Sequence, residues 1–136
     1  MDDYAIAVLD VGKTNKKLSI YDRNLEQLAS VFDTFPPKTE YGLEVEDIDA
    51  VEDWLFHHLR EFGKKFPIRI ISVSCHGATF ACVNRKGALC LPVLSYTNEP
   101  GEAFHEEFYT TIAPADELQR KTRSADFETQ IGRASC

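Results

Sequence analysis

The sequence predicts an α/β fold in which three antiparallel strands lead through one helix to a parallel strand. Three observations predict it. Tyr4 to Asp10 is an unbroken apolar run that ends in a carboxylate, as suits a buried strand. Asp47 to Phe62 carries Ile48, Val51, Leu55, Leu59 and Phe62 on one helical stripe. Ile68 to Ser74 is a second apolar run. The connecting segments are short and polar, as loops between such elements are.

The elements follow in order. After Asp10, the turn Val11 to Lys17 is built from Gly, Lys, Thr and Asn. Leu18 to Asp22 resumes alternation and predicts a second strand. Asn24 marks a turn, and Leu25 to Phe35 a third strand that completes a meander. Pro36 and Pro37 end the pairing, because proline lacks the ladder donor. Lys38 to Glu46 reads as a polar loop around Gly42. The helix from Asp47 carries Asp49, Glu52 and Asp53 early, which suits an N-terminus. Trp54 and Phe56 fall beside its stripe, and Gly63 reads as its stop. The adjacent His57 and His58 point in different directions, so one surface and one half-buried histidine are expected rather than a metal pair. Phe80 to Asn84 and Ala88 to Leu94 read as a hairpin about Arg85-Lys86-Gly87. Ser95 to Gly101 is a polar loop. Helices are expected over Glu102 to Ile112 and Ala115 to Lys121, and 122–136 is a poorly patterned tail.

Composition narrows the function. With 136 residues, 43% apolar and 27% charged, the chain is one domain or part of one, large enough to bury a core. The net charge of −7 argues against nucleic acid or an anionic membrane as the main partner. Lys13, Lys16 and Lys17 nevertheless make one turn locally basic, which leaves room for an anionic ligand there. Cys75, Cys82, Cys90 and Cys136 form no CxxC pair, so reduced and mostly buried thiols are expected. The start Met-Asp-Asp has no basic or apolar signal region. No apolar run approaches the ~20 residues of a membrane span. A cytoplasmic protein is expected.

Two segments carry chemistry. The first is Asp10 with its turn. Backbone N–H groups, hydroxyls and lysines suit a phosphate, and a strand-end carboxylate suits Mg²⁺. Gly12-Lys13-Thr14 imitates the end of a Walker A loop, but Ala7 stands where its first Gly belongs and a strand follows instead of a helix. The reading retained is strand, phosphate-gripping turn, strand; an ordinary hairpin with a polar turn is the alternative. The second segment pairs His76-Gly77 with Tyr96 and Asn98, which also follow strands. Ligands of α/β sheets bind at the carboxyl ends of strands. His76 and Asn98 can bond hydroxyls, Gly77 admits close approach, and Tyr96 can pack on a sugar face. The alternative is a satisfied histidine and a plain loop.

The order β-β-β-α-β is the ribonuclease-H-like order, shared with actin-like nucleotide-binding domains. Leu9-Asp10-Val11-Gly12-Lys13-Thr14-Asn15 resembles the N-terminal phosphate motif of the FGGY carbohydrate kinases, in the sugar kinase, heat-shock protein and actin superfamily. His76-Gly77-Ala78-Thr79 resembles the Met-His-Gly-Ala segment of xylulokinases, with Cys75 for Met. Leu91 to Asn98 resembles the segment ending in Trp-x-Asp, with Tyr96 for Trp, Asn98 for Asp, and no following Arg. The resemblance implies an actin-like ATPase fold and an ATP- and Mg²⁺-dependent transfer of a γ-phosphoryl group to a sugar hydroxyl. It implies Asp10 near the metal, Gly12, Thr14, Asn15 and Lys16 around the phosphates, and His76, Gly77, Tyr96 and Asn98 at the sugar. Family kinases are far longer, with a catalytic Asp later in the first domain and adenosine segments in the second. The expectation is therefore an incomplete first domain over 1–121, a truncated tail over 122–136, no catalytic Asp in this chain, and no turnover by the chain alone. The other class kept open is a non-catalytic actin-like binding module. An incomplete domain also leaves apolar surface uncovered, so self-association is expected, with Phe104, Phe108 and Ile112 as a candidate patch.

Overall fold

A computed structural model describes residues 3–77 and 79–123. Four strands form the main sheet: β1 (Ala5–Val11), β2 (Asn15–Tyr21), β3 (Gln27–Thr34) and, later in the chain, β6 (Ile68–Cys75). Their spatial order is β3-β2-β1-β6. β1 to β3 pair antiparallel, and β6 pairs parallel to β1. The meander and the parallel return are the arrangement expected.

One face of the sheet makes the core. Ala5, Ala7 and Leu9 alternate along β1, and Leu18 and Ile20 along β2, all buried. Helix α1 (Ile48–Gly63) covers them with Trp54, Leu55, Leu59 and Phe62. Trp54 therefore belongs to the packed stripe instead of lying beside it. Asp47 is the N-cap, its carboxylate accepting from the Ala50 N–H at 3.2 Å. The helix includes Gly63 and ends at Lys64 in right-handed geometry, so glycine is not its stop. His57 is exposed and His58 half-buried; the His58 ring meets Trp54 edge-on at 5.3 Å.

Four local expectations are corrected. The segment read as a loop over 38–46 contains a hairpin, β4 (Lys38–Glu40) and β5 (Leu43–Val45). Tyr41 and Gly42 both take positive φ, 52° and 79°, which is the geometry of a two-residue hairpin turn. β2 begins at Asn15, three residues before Leu18, so Lys16 and Lys17 lie inside a strand. The hairpin expected over 80–94 reduces to one bridge, Val83 with Leu89. Its second half leaves to meet β5: Leu94 bridges Val45, and Glu46 donates its N–H to the Val93 carbonyl at 2.8 Å. The cysteines expected to be buried are not: Cys75, Cys82 and Cys90 are all exposed.

Helices α2 (Glu102–Thr111) and α3 (Ala115–Thr122) follow. Among the described residues no helix is long and apolar enough to cross a membrane. Most of the tail read over 122–136, together with Ala78, lies outside the described residues.

Candidate functional site

The β1–β2 turn is tight. Val11 pairs with Lys16, and the Gly12 N–H donates to the Asn15 carbonyl at 3.0 Å. Lys13 and Thr14 are left at the tip, and their backbone N–H groups take no partner among the described residues. A Cβ on Gly12 would lie 2.9 Å from the Asn15 carbonyl oxygen. Glycine is thus required by the turn's own closure. Gly12→Ala is expected to destabilise the chain by about 1–2 kcal/mol, the scale of mild overpacking, in a urea unfolding titration. Unchanged stability would show that the turn opens freely.

Strand pleating separates the two adjacent lysines. Lys17 is the antiparallel register partner of Asp10, and directly opposed residues share a sheet face. Both are exposed. Lys16 points to the core face and is 2% exposed. Its ammonium donates to the Lys13 carbonyl at 2.9 Å and lies 3.7 Å from Glu46 Oε2. Burial holds the Lys16 pKa below the ordinary lysine value, against the pull of the Glu46 carboxylate. Lys13 pairs with the other oxygen of Glu46 at 2.9 Å. One carboxylate, only 7% exposed, thus holds two ammonium groups. Lys13 also stands 5.9 Å from the centre of the Tyr96 ring.

The second segment meets the first at the carboxyl ends of β1 and β6. The His76 N–H donates to the Val11 carbonyl at 2.9 Å, extending the parallel ladder by one step. Nδ1 of His76 lies 3.0 Å from the same oxygen, and Nε2 lies 3.1 Å from Thr79 Oγ1. A carbonyl only accepts, so Nδ1 carries a proton, and in the neutral ring Nε2 accepts from Thr79. The His76 and Tyr96 rings are 5.7 Å apart. Tyr96 thus sits between the turn's Lys13 and His76.

Gly77 follows His76 and is exposed. Thr14 is exposed at the tip, and its carbonyl accepts from Phe35 N–H at 2.9 Å. The Asn15 side-chain oxygen accepts from Thr34 Oγ1 at 3.1 Å. Asn98 is engaged in loop building: Oδ1 accepts from Glu44 N–H at 2.8 Å, and Nδ2 donates to the Glu44 and Ser95 carbonyls. Three residues given no site role of their own from sequence stand in the same place: Lys17, noted there only for the turn's basic charge, Thr79, noted only within its motif, and Glu46. Lys17 was recoverable, since alternation back from Leu18 and Ile20 puts it on the face of Asp10. Glu46 carries no local signal, because its partners are 30 and 33 residues away in sequence.

The architecture is that of the N-terminal part of the actin-like ATPase domain of sugar kinases. The chain is similar to the crystal structure of a carbohydrate kinase from Novosphingobium aromaticivorans, with 26% identity and a TM-score of 0.74 over 81% of this chain and 23% of that one. It is similar to a ligand-bound xylulose kinase from Lactobacillus acidophilus, at 22% identity and TM-score 0.69 over 86% of this chain and 24% of that one. It is similar to a glycerol kinase from Plasmodium falciparum crystallised with ADP, at 15% identity and TM-score 0.71 over 93% of this chain and 27% of that one. The last two likenesses concern the fold alone. The chain spans about a quarter of the length of these kinases. No family model and no curated protein matches it.

Proposed function

We propose that this chain is the phosphate- and sugar-gripping N-terminal portion of an ATP-dependent carbohydrate kinase, cytoplasmic, that transfers the γ-phosphoryl group to a sugar hydroxyl. The observation that carries the proposal is the convergence of Asp10, the 12–17 turn, His76 and Tyr96 at one end of a sheet shared in fold with carbohydrate kinases. Residues 1–121 are the beginning of the first of two domains.

The donor set fits Mg²⁺ and a nucleotide. Among the described residues no three His, Cys, Asp or Glu side chains gather to hold a metal. Mg²⁺ suits such a place, because it uses one or two carboxylates and fills its shell with water and substrate phosphate. Asp10 is the carboxylate on offer. Lys17 on the same face, the free N–H groups of Lys13 and Thr14, and the side chains of Thr14 and Asn15 supply donors for phosphate oxygens. Lys16 serves from beneath, holding the Lys13 carbonyl. When bound, Mg²⁺ neutralises charge on the phosphoryl group in transfer. His76, through Thr79, and the Tyr96 ring orient the sugar, with Gly77 giving it room. Asn98 fixes the loop that presents Tyr96. The carboxylate that takes the hydroxyl proton is assigned outside residues 1–121.

The reading is tested by NMR titration of the 136-residue chain with Mg-ATP and with a panel of ketoses, aldoses and polyols. Nucleotide is expected to shift amides 12–17, and a matching sugar those of 76–77 and 95–98. Shifts at neither would overturn the proposal. A coupled ADP-release assay is expected to show no sugar-dependent turnover by the chain alone; robust turnover would mean that its own carboxylates suffice. In a binding module without chemistry, sugar shifts would appear without nucleotide shifts.

Self-association belongs to the same proposal. Ile71 and Val73 of β6 are 60% and 61% exposed, and Phe104, Phe108 and Ile112 line up on exposed helix surface. Sedimentation is expected to show concentration-dependent association, and a clean monomer at high concentration would contradict it.

A further inference from the structure

We propose that Cys82 and Cys90 form a reversible dithiol–disulfide site that cross-links the segment joining the two halves of the candidate sugar pocket. Strand register sets the pairing of the two thiols, and only its consequence for the pocket depends on the proposed function. The Asn84 N–H donates to the Ala88 carbonyl at 2.9 Å, and the Cys90 N–H donates to the Cys82 carbonyl at 2.8 Å. These bonds flank the Val83–Leu89 bridge on either side. Register carries Cys82 opposite Cys90, one step out from the bridge, in the position of a hydrogen-bonded antiparallel pair of which one bond, Cys90 N–H to the Cys82 carbonyl, is made. Such pairs have Cα atoms about 5.5 Å apart, inside the roughly 4.4–6.8 Å range of disulfides. Opposed side chains emerge on the same face.

The register is held locally. The Asn84 side chain accepts from the N–H groups of Lys86 and Ala88, at 2.8 and 3.1 Å. Gly87 takes φ 81°, a conformation that favours glycine. Both thiols are exposed, so an oxidant reaches them. Cβ atoms at such a position stand about 5–5.5 Å apart against the roughly 3.5–4.5 Å of a disulfide, so the ladder must draw in by about 1 Å; residues 81–90 are exposed throughout, and no packed core opposes that shift. A bond made in that way is accessible and strained, the kind that thiols readily reduce.

The chemistry balances with a peroxide as oxidant. One thiol is oxidised by hydrogen peroxide to a sulfenic acid, releasing one water. The other sulfur then attacks it, the S–S bond forms, and a second water leaves. The two thiols lose two electrons in all, and the peroxide gains them. The cross-link shortens the free path between His76-Gly77 and Tyr96, because 82–90 lies between them.

The test uses the full chain carrying Cys75→Ser and Cys136→Ser, so that only this pair remains. Dilute protein treated with hydrogen peroxide is expected to lose both titratable thiols while staying monomeric, with a mass lower by two hydrogens. Trypsin cuts after Arg85 and Lys86, so the two cysteines fall on separate peptides that stay joined only through the disulfide. Reduced glutathione is expected to restore both thiols. Adding Gly87→Val, which strains the turn, is expected to slow cross-linking about tenfold, on the scale of about 1.4 kcal/mol lost from the register. Oxidation that gives only intermolecular dimers, or separate oxidised cysteines without a linked peptide, would overturn the proposal.

Discussion

Replacing Glu46 with glutamine is expected to lower the stability of the chain by about 2–3 kcal/mol, the cost of leaving largely buried charge without its counter-ion. Lys16 is the reason. Its side chain is 2% exposed, and Glu46 is the carboxylate beside it. Burial depresses the Lys16 pKa in the folded chain, and Glu46 resists that depression. The unfolded chain therefore binds this proton more tightly than the folded one. Below the folded pKa the lysine is charged in both states and the full burial penalty applies. The penalty is relieved as pH climbs from the folded pKa towards the ordinary lysine value. Without Glu46 the folded pKa drops further, so the gain in stability begins at lower pH. Urea titrations across neutral and alkaline pH are expected to show a steeper rise for Glu46→Gln than for the wild-type chain. Lys16→Met in the same background removes the buried charge and is expected to recover most of the loss. Additive losses in that double variant would show that the two residues are not energetically coupled.

The main sheet was legible because its signals are local. The run Tyr4 to Asp10 and the stripe on α1 each announce themselves within one element, and the order of elements then constrains the topology. What escaped depends on partners distant in sequence. β4 and β5 are three residues each and polar, and β5 is held partly by Val93 to Ser95, some 50 residues later. The same competition removes the expected second strand of the 80–94 hairpin. Cysteine burial could not be read from composition, because exposure here follows from how little covers β6 and 81–90. In the candidate site, the motif residues were visible as a cluster of suitable types. Which lysine shares the face of Asp10 follows from the pleat of β2, which a start at Leu18 leaves out of the strand.

Lys16 and Lys17 are neighbours in sequence but lie on opposite faces of β2. Lys17 is exposed, with Asp10 opposite it in the ladder and Thr14 and Asn15 just before it. Lys16 is spent on Glu46 and the Lys13 carbonyl. If the turn grips phosphate, Lys17 is the side chain free to pair with it, and Lys16 acts by holding the turn. Lys17→Ala is then expected to weaken Mg-ATP binding to the chain by about 10–100-fold, the worth of one charge-assisted hydrogen bond, with the urea midpoint unchanged. Lys17→Arg keeps the charge and is expected to keep most of the affinity. Lys16→Met is expected to change stability while leaving bound-state shifts at amides 12–17 similar in pattern. Calorimetry at low and moderate salt reads the affinities, and the Lys17 contribution is expected to shrink as salt rises, since the group is exposed. Full affinity in Lys17→Ala, combined with its loss in a folded Lys16→Met chain, would place the phosphate on the α1 side of the sheet. Failure of the unsubstituted chain to bind nucleotide at all would instead sink the phosphate-gripping reading of the turn itself.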